Sequence, residues 1–172
     1  KGLSAYLGLP IKGIPGLQHA LDEAYFGRID AMDFALSFDD GQTLDDIENA
    51  DVILVGVSRT SKTPTCIYLA RQGIHAANIP FCPGVPFPQD VLTLEKPLFV
   101  GLTEAADRLT NLRRARLKEE EAPHPSYNEN DYINADRVEE EIRDARRFFS
   151  KQGGPVIDVT RRAVEETSAE TM

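Results

Sequence analysis

The sequence of 172 residues predicts an α/β domain in which helices flank a parallel β-sheet. Three observations support this fold class. Short apolar runs of strand length alternate with longer segments in which apolar residues recur at helical spacing. Gly and Pro separate several of these segments. Apolar residues form 41% of the chain and charged residues 27%, which is close to the composition of ordinary globular proteins.

Residues 1–16 are rich in Gly and Pro, and we interpret them as a linker or as the end of an absent N-terminal segment. The domain is expected to cover residues 17–172. A helical pattern begins at Leu17, and Gly27 is a candidate break within it.

The remaining elements alternate along the chain. The predicted strands are short apolar runs, several of them β-branched, as in buried parallel strands. They cover residues 52–55, 74–81, 97–102 and 155–159, and the predicted helices cover residues 65–72, 104–118, 135–151 and 161–169. Thr103 and Thr160 are expected to cap two of these helices, because a hydroxyl accepts from free N–H groups of the first turn.

The first predicted strand leads into a segment with the layout of a phosphate-binding P-loop, which makes the predicted sheet P-loop-type. Loop N–H groups and a helix N-terminus converge on one point, where they stabilise a phosphate. Lys62 would add a positive charge, and the Thr63 hydroxyl would ligate Mg²⁺. The expected nucleotide-binding residues are Gly56, Val57, Ser58, Arg59, Thr60, Ser61, Lys62 and Thr63. The alternative is a tight strand–helix turn with an exposed lysine.

The loop departs from the usual pattern G-x-x-x-x-G-K-[ST] at one position, where Ser61 replaces the second Gly. A residue with a side chain is restricted at positive φ. The sequence therefore predicts either a different turn at Ser61 or local backbone strain.

Acidic residues that could serve phosphate transfer lie outside this loop. Asp39 and Asp40 precede Gly41 in a turn before the first strand, and paired carboxylates suit a base or a metal ligand. The alternative is a turn that only ends a helix. Asp158 is a further candidate, because the carboxyl ends of strands face the ligand crevice in open α/β sheets.

Several other charged groups have two interpretations. Arg59 would contact phosphate or be a solvated loop residue. Arg113, Arg114 and Arg116 would form exposed salt bridges or bind an acidic substrate. Glu165 and Glu166 are expected on a solvated helix face.

Charge and cysteine content limit the functional class. The net charge of −9 argues against generic binding to nucleic acid or to an anionic membrane. No apolar run reaches membrane-spanning length, and no signal peptide is recognisable. Cys66 and Cys82 are expected to be buried or incidental thiols, so we expect a cytoplasmic protein.

The residues from 50 to 64, ADVILVGVSRTSKTP, resemble the signature of the regulatory proteins of pyruvate, phosphate dikinase and phosphoenolpyruvate synthase. Serine at position 61 is typical of that family. Further matching stretches are residues 39–41, 68–70, 77–80, 100–103, 156–160 and 165–167.

The resemblance implies a bifunctional serine/threonine kinase and pyrophosphorylase. Such proteins phosphorylate an active-site threonine of the dikinase or synthase with ADP as donor. They remove the phosphate with inorganic phosphate, releasing pyrophosphate. ADP and Mg²⁺ are therefore the implied ligands, and the target enzyme is the implied partner. Family members carry a further N-terminal segment.

Within that chemistry, Lys62 and Mg²⁺ would neutralise developing charge. Asp39 or Asp40 would deprotonate the target threonine, or activate inorganic phosphate in the reverse step. A homodimer is a further expectation. Two alternatives stay open: a P-loop kinase of a small metabolite, and a non-catalytic module that senses ADP.

Overall fold

The computed structural model describes residues 23–41, 43–118 and 129–172, with residues 129 and 130 described by their backbone alone. The predicted linker at residues 1–16 and the predicted helix start at Leu17 lie outside these ranges.

A four-stranded parallel sheet forms the centre of the described domain and confirms the predicted α/β class. The strands are β1 (Val52–Gly56), β2 (Ala76–Pro80), β3 (Leu98–Thr103) and β4 (Val156–Asp158), in the order β2-β1-β3-β4. Val52 of β1 pairs with Ala76 on one side and Leu98 on the other.

Helices cover both faces of this sheet. They are α1 (Glu23–Ser37), α2 (Lys62–Ala70), α3 (Gln89–Leu92), α4 (Ala106–Lys118), α5 (Glu129–Tyr132), α6 (Ala135–Gln152) and α7 (Val164–Thr171). Single 3₁₀ turns occur at Asp39–Gly41 and Ile47–Asn49. No helix among the described residues is long and apolar enough to cross a membrane.

The central strand β1 supplies side chains to two separate cores. Ile53 and Val55 pack with Phe149 and other residues of α4 and α6. Val52 and Leu54 pack on the opposite face with residues of α1 and α2. Because both faces of the sheet are covered, β1 is apolar at consecutive positions rather than at alternating ones.

The strand order creates a switch point at the carboxyl ends of β1 and β3. The chain passes from β1 to β2 on one side and then crosses to β3 on the other. Open α/β sheets bind ligands in the crevice at such a point. A Cβ atom on Gly56 would lie 2.6 Å from Thr60 Oγ1 and 2.8 Å from the Leu102 carbonyl oxygen, so only glycine fits there. The β1–α2 loop is therefore packed directly against the end of β3.

Three local predictions are wrong. Helix α1 runs through Gly27, because that position faces open space and needs no break. Thr103 ends β3 instead of capping α4, and α7 begins at Val164, beyond Thr160. The Thr160 hydroxyl instead accepts from the Ala105 N–H at 2.8 Å, which joins the ends of β3 and β4. Tertiary hydrogen bonding has replaced the local cap.

Candidate active site

The β1–α2 loop contains two side-chain-bearing residues in the left-handed region. Ser61 has φ 59° and ψ 26°, and Arg59 has φ 74°. Ser61, which takes the place of the usual second glycine, therefore has the positive φ of that position and carries backbone strain. Such residues cost on the order of 1 kcal/mol each and are held by their surroundings. Arg59 itself is exposed.

Lys62 is the first residue of α2, and its side chain folds back across the loop. Its Nζ donates to the Val57 carbonyl oxygen at 3.0 Å, and Thr60 Oγ1 donates to the same oxygen at 2.9 Å. The side chain is buried, so the alternative of an exposed lysine is wrong. Burial lowers the pKa of Lys62, while the nearby Asp40 and Asp39 carboxylates oppose that shift.

The Asp39–Gly41 turn lies against the start of α2. Thr63 Oγ1 donates to Asp39 Oδ1 at 2.8 Å, across 24 positions of sequence. Asn78 Nδ2 lies 2.6 Å from Asp39 Oδ1, 3.0 Å from Thr63 Oγ1 and 3.4 Å from Asp40 Oδ1. The structure thus bonds Asp39 to Thr63 and brings Asp40 to the same Asn78 amide, and the charges of both aspartates act on Lys62.

The two aspartates have different surroundings. Asp39 is half-buried, and its Oδ1 accepts from both Thr63 and Asn78. Asp40 is exposed, has φ 52°, and receives only the longer contact from Asn78. Asp39 is therefore fixed to the helix start, whereas Asp40 remains accessible from solvent.

Sequence reasoning assigned no role to Asn78. It is buried in β2 between apolar neighbours, and its Oδ1 has no hydrogen-bond partner among the described residues. A polar amide within the apolar run 74–81 was the available signal. Its amide nitrogen joins the turn to α2, so it supports the geometry of the cluster.

The oxygen atoms of this cluster fit Mg²⁺. Magnesium prefers hard oxygen ligands and is commonly held by one or two protein groups together with substrate phosphates. The Thr63 hydroxyl donates to Asp39 and keeps a lone pair, which suits this mode. Within the described ranges, no group of three or more His, Cys, Asp or Glu side chains could hold a metal ion.

Comparison with known proteins assigns the chain to a family. The kinase/pyrophosphorylase family matches residues 1–172. The chain belongs to the kinase/pyrophosphorylase family.

Curated relatives in this family are about half identical to the chain. One from Paramagnetospirillum magneticum is 52% identical over 172 residues, covering 98% of the chain and 53% of the relative. One from Caulobacter vibrioides is 53% identical over 167 residues, covering 97% and 52%. One from Rhodospirillum rubrum is 49% identical over 160 residues, covering 92% and 56%. Each carries the provisional name pyruvate, phosphate dikinase regulatory protein. The chain spans about half the length of these relatives.

An apolar cavity adjoins Asp40. It has a volume of about 190 Å³ and is lined by the end of β2 and the proline-rich residues that follow it, with Cys82 and Phe87 among them. An accessible carboxylate thus lies at the edge of an apolar surface.

The other predicted acid, Asp158, lies at the end of β4 and outside the cluster around Thr63. Its Oδ1 accepts from the Thr160 N–H at 3.0 Å, and its Oδ2 lies 3.4 Å from Arg146 Nη2. Desolvation raises the pKa of Asp158. The hydrogen bonds from Thr160 and the charge of Arg146 outweigh this effect, so the pKa lies below its ordinary value and the carboxylate is ionised. These contacts indicate a structural role.

Glu104 is a buried acid that the sequence pattern did not single out. It follows β3, is 2% exposed, and lies 3.5 Å from Arg108 Nε. Burial raises its pKa, and the charge of Arg108 only partly opposes the shift.

The cysteine prediction is confirmed, because Cys66 and Cys82 are both buried thiols. Burial raises the pKa of the Cys66 thiol to about 12, and the smaller effect of the Asp39 charge acts in the same direction. The thiol beside Lys62 is therefore neutral at physiological pH.

Both predictions for Arg113 are wrong. It is 0% exposed and forms a buried two-pronged ion pair with Glu141 of α6, at 2.7 and 2.9 Å. Its neighbour Arg114 is exposed, as predicted. Glu165 and Glu166 are also exposed.

Proposed function

We propose that this chain carries the phosphate-transfer site of a bifunctional regulator of pyruvate, phosphate dikinase. In one direction it transfers the β-phosphoryl group of ADP to an active-site threonine of the dikinase. In the other it transfers that group from phosphothreonine to inorganic phosphate. The observation that carries this proposal is the meeting of Lys62, Thr63, Asp39 and Asp40 at one helix start. Family membership and the names of the relatives support the same target and favour it over phosphoenolpyruvate synthase.

The β1–α2 loop would hold the phosphates of ADP. Backbone N–H groups at the start of α2 favour an anion. The Lys62 ammonium would leave the Val57 carbonyl, to which it now donates, and approach the transferred phosphoryl group. A phosphate would offset the cost of burying this charge, because an opposite charge favours the protonated lysine.

Thr63 would hold Mg²⁺, and Asp39 would orient the Thr63 hydroxyl through its 2.8 Å hydrogen bond. The metal ion supplies charge neutralisation on the phosphate oxygens when it is bound. Asn78 would keep Asp39 and Thr63 in register.

Asp40 would act as the base, because it is the exposed carboxylate of the pair. It would accept the proton of the target threonine as the threonine oxygen attacks the β-phosphorus and AMP leaves. In reverse, it would accept a proton from inorganic phosphate. A phosphate oxygen then attacks the phosphothreonine phosphorus and forms pyrophosphate, while the bond to the threonine oxygen breaks and Asp40 returns its proton to that oxygen.

The cavity beside Asp40 would receive the segment of the dikinase that carries the threonine. A cytoplasmic location is part of the proposal, because buried thiols are typical of reducing compartments. The homodimer stays a prediction.

The direct test incubates the protein with Mg²⁺, ADP or ATP, and the dikinase in its phosphohistidine form. Mass spectrometry then searches the dikinase for phosphothreonine. We expect phosphothreonine with ADP. ADP binding without phosphothreonine would favour the sensor, and transfer to a small molecule would favour a metabolite kinase.

A further inference from the structure

A buried ionic network lies directly beneath the β1–α2 loop. Arg113 of α4 pairs with Glu141 of α6 through both terminal nitrogens. Arg113 Nη1 also donates to the Tyr132 carbonyl oxygen at 3.2 Å, and its Cζ lies 4.5 Å from the centre of the Tyr132 ring. Both Arg113 and Tyr132 are 0% exposed.

The network contacts the loop at Ser58. Arg113 Nη2 donates to the Ser58 carbonyl oxygen at 3.4 Å. Tyr132 Oη and Ser58 Oγ share a hydrogen bond of 3.0 Å. The backbone carbonyl and the side-chain hydroxyl of Ser58 are therefore both held from below, by residues of α4 and α5.

Stability alone does not account for such a network. Removing two charges from water costs several kcal/mol per ion, and a buried ion pair is often replaced by apolar residues with no loss of stability. A buried guanidinium is well suited, however, to holding several oxygen acceptors in fixed directions. Here those acceptors are Glu141, Tyr132 and the loop itself.

The bond to the Ser58 carbonyl also sets the direction of the next amide group. In a planar trans peptide, the C=O of Ser58 and the N–H of Arg59 point in opposite directions. A carbonyl held toward buried Arg113 therefore directs the Arg59 N–H away from the interior. Arg59 has φ 74°, a conformation that persists only where the surroundings hold it.

We propose that Arg113, supported by Glu141 and Tyr132, is a positioning residue that fixes the Ser58–Arg59 peptide with its N–H facing the bound phosphate. This inference rests on the phosphate site proposed above and adds a buried part to it. Arg113 does not touch the reacting atoms; it acts through the loop.

The test separates positioning from folding with a double variant. Arg113→Met with Glu141→Leu removes both charges together, so that neither is left buried alone. Arg114→Met, at the exposed neighbouring position, is the matched control. Thermal unfolding reports the fold, calorimetry reports the affinity for ADP and for pyrophosphate, and NMR follows the Arg59 amide during titration with each ligand.

We expect the double variant to fold and to bind ADP at least about 10-fold more weakly, as expected when a donor to a phosphate is misplaced. The Arg59 amide should shift on ADP addition in the wild type and in the control, but much less in the double variant. Wild-type ADP affinity and a wild-type Arg59 shift in a folded double variant would overturn the inference while leaving the proposed function intact. Failure of the wild type to bind either ADP or pyrophosphate would overturn both this inference and the proposed function.

Tyr132→Phe keeps the test decisive if the double variant does not fold. It removes only the hydroxyl that bonds Ser58 and retains the ring beneath Arg113. We expect a several-fold loss of ADP affinity and a reduced Arg59 shift, with thermal unfolding close to that of the wild type. An unchanged affinity with an unchanged shift would count against the network as a positioning device.

Discussion

Asp39 and Asp40 are adjacent in sequence but differ in hydrogen bonding and exposure. Asp39 accepts from Thr63 and Asn78, whereas Asp40 is exposed with one long contact. A residue that orients a metal ligand needs fixed hydrogen bonds, and a base that meets a protein substrate needs access. The structure therefore favours separate roles for the two carboxylates.

The first prediction follows from that difference. Asp40→Asn should lower transfer in both directions by about 10²-fold or more, with ADP affinity retained, because it removes only the proton acceptor. Asp39→Asn should instead raise the Mg²⁺ concentration needed for half-maximal rate. Initial rates measured against Mg²⁺ concentration separate the two variants. Equal Mg²⁺ dependence and equal rates in both variants would contradict the division of roles.

Lys62→Met should lower the rate of phosphate transfer while it raises the stability of the fold. The variant should lose transfer by about 10²-fold or more, because the charge that meets the phosphate is gone. It should also unfold at higher temperature, with a gain of about 1 kcal/mol, because burial of this charge opposes folding. A lower unfolding temperature at neutral pH would contradict this prediction.

The pH dependence of that gain has a defined sign. The pKa of folded Lys62 lies below its ordinary value of 10.5 because of burial. At a pH between the folded pKa and 10.5, the unfolded chain binds a proton that the folded chain does not. The free energy of unfolding of the wild type therefore rises with pH. The advantage of Lys62→Met should be largest below the folded pKa and shrink as the pH approaches 10.5. Thermal unfolding across that range measures it.

At the scale of elements, the β1–α2 unit was predictable because its signals are local. A continuous apolar run, Gly56, and Lys62 with Thr63 all lie within one short stretch. The predicted N-caps at Thr103 and Thr160 do not form, because hydrogen bonding between the ends of β3 and β4 replaces them.

The buried network and the carboxylate cluster depend on contacts between distant segments. Asn78 meets Asp39 across 39 positions, and Arg113 meets Ser58 across 55. Charge alone made Arg113 look like a surface residue. Sequence patterns report periodicity within a segment, so they could not show these contacts.

Helix α1 contains a glycine whose replacement should stabilise the protein. Gly27 lies within α1, and a Cβ atom there would meet nothing within 4 Å. Gly27→Ala should raise the free energy of unfolding by about 0.5–1 kcal/mol, because alanine loses less backbone entropy in a helix. Urea unfolding of both proteins measures the difference. A clear loss of stability would show that this face of α1 is covered in solution.

At the scale of the whole molecule, both directions of phosphate transfer are proposed to occur at one site. The same loop would hold the β-phosphate of ADP in one direction and inorganic phosphate in the other. The relatives are about twice as long as the chain, so this claim is best tested in the chain beside one of these longer relatives.

The most direct measurement follows both reactions of Lys62→Met beside the wild type, with dikinase as substrate. One assay detects phosphothreonine formed with ADP, and the other detects pyrophosphate released from phosphorylated dikinase with inorganic phosphate. We expect both rates to fall together by about 10²-fold or more. Loss of one reaction with the other retained at the wild-type rate would contradict a shared site.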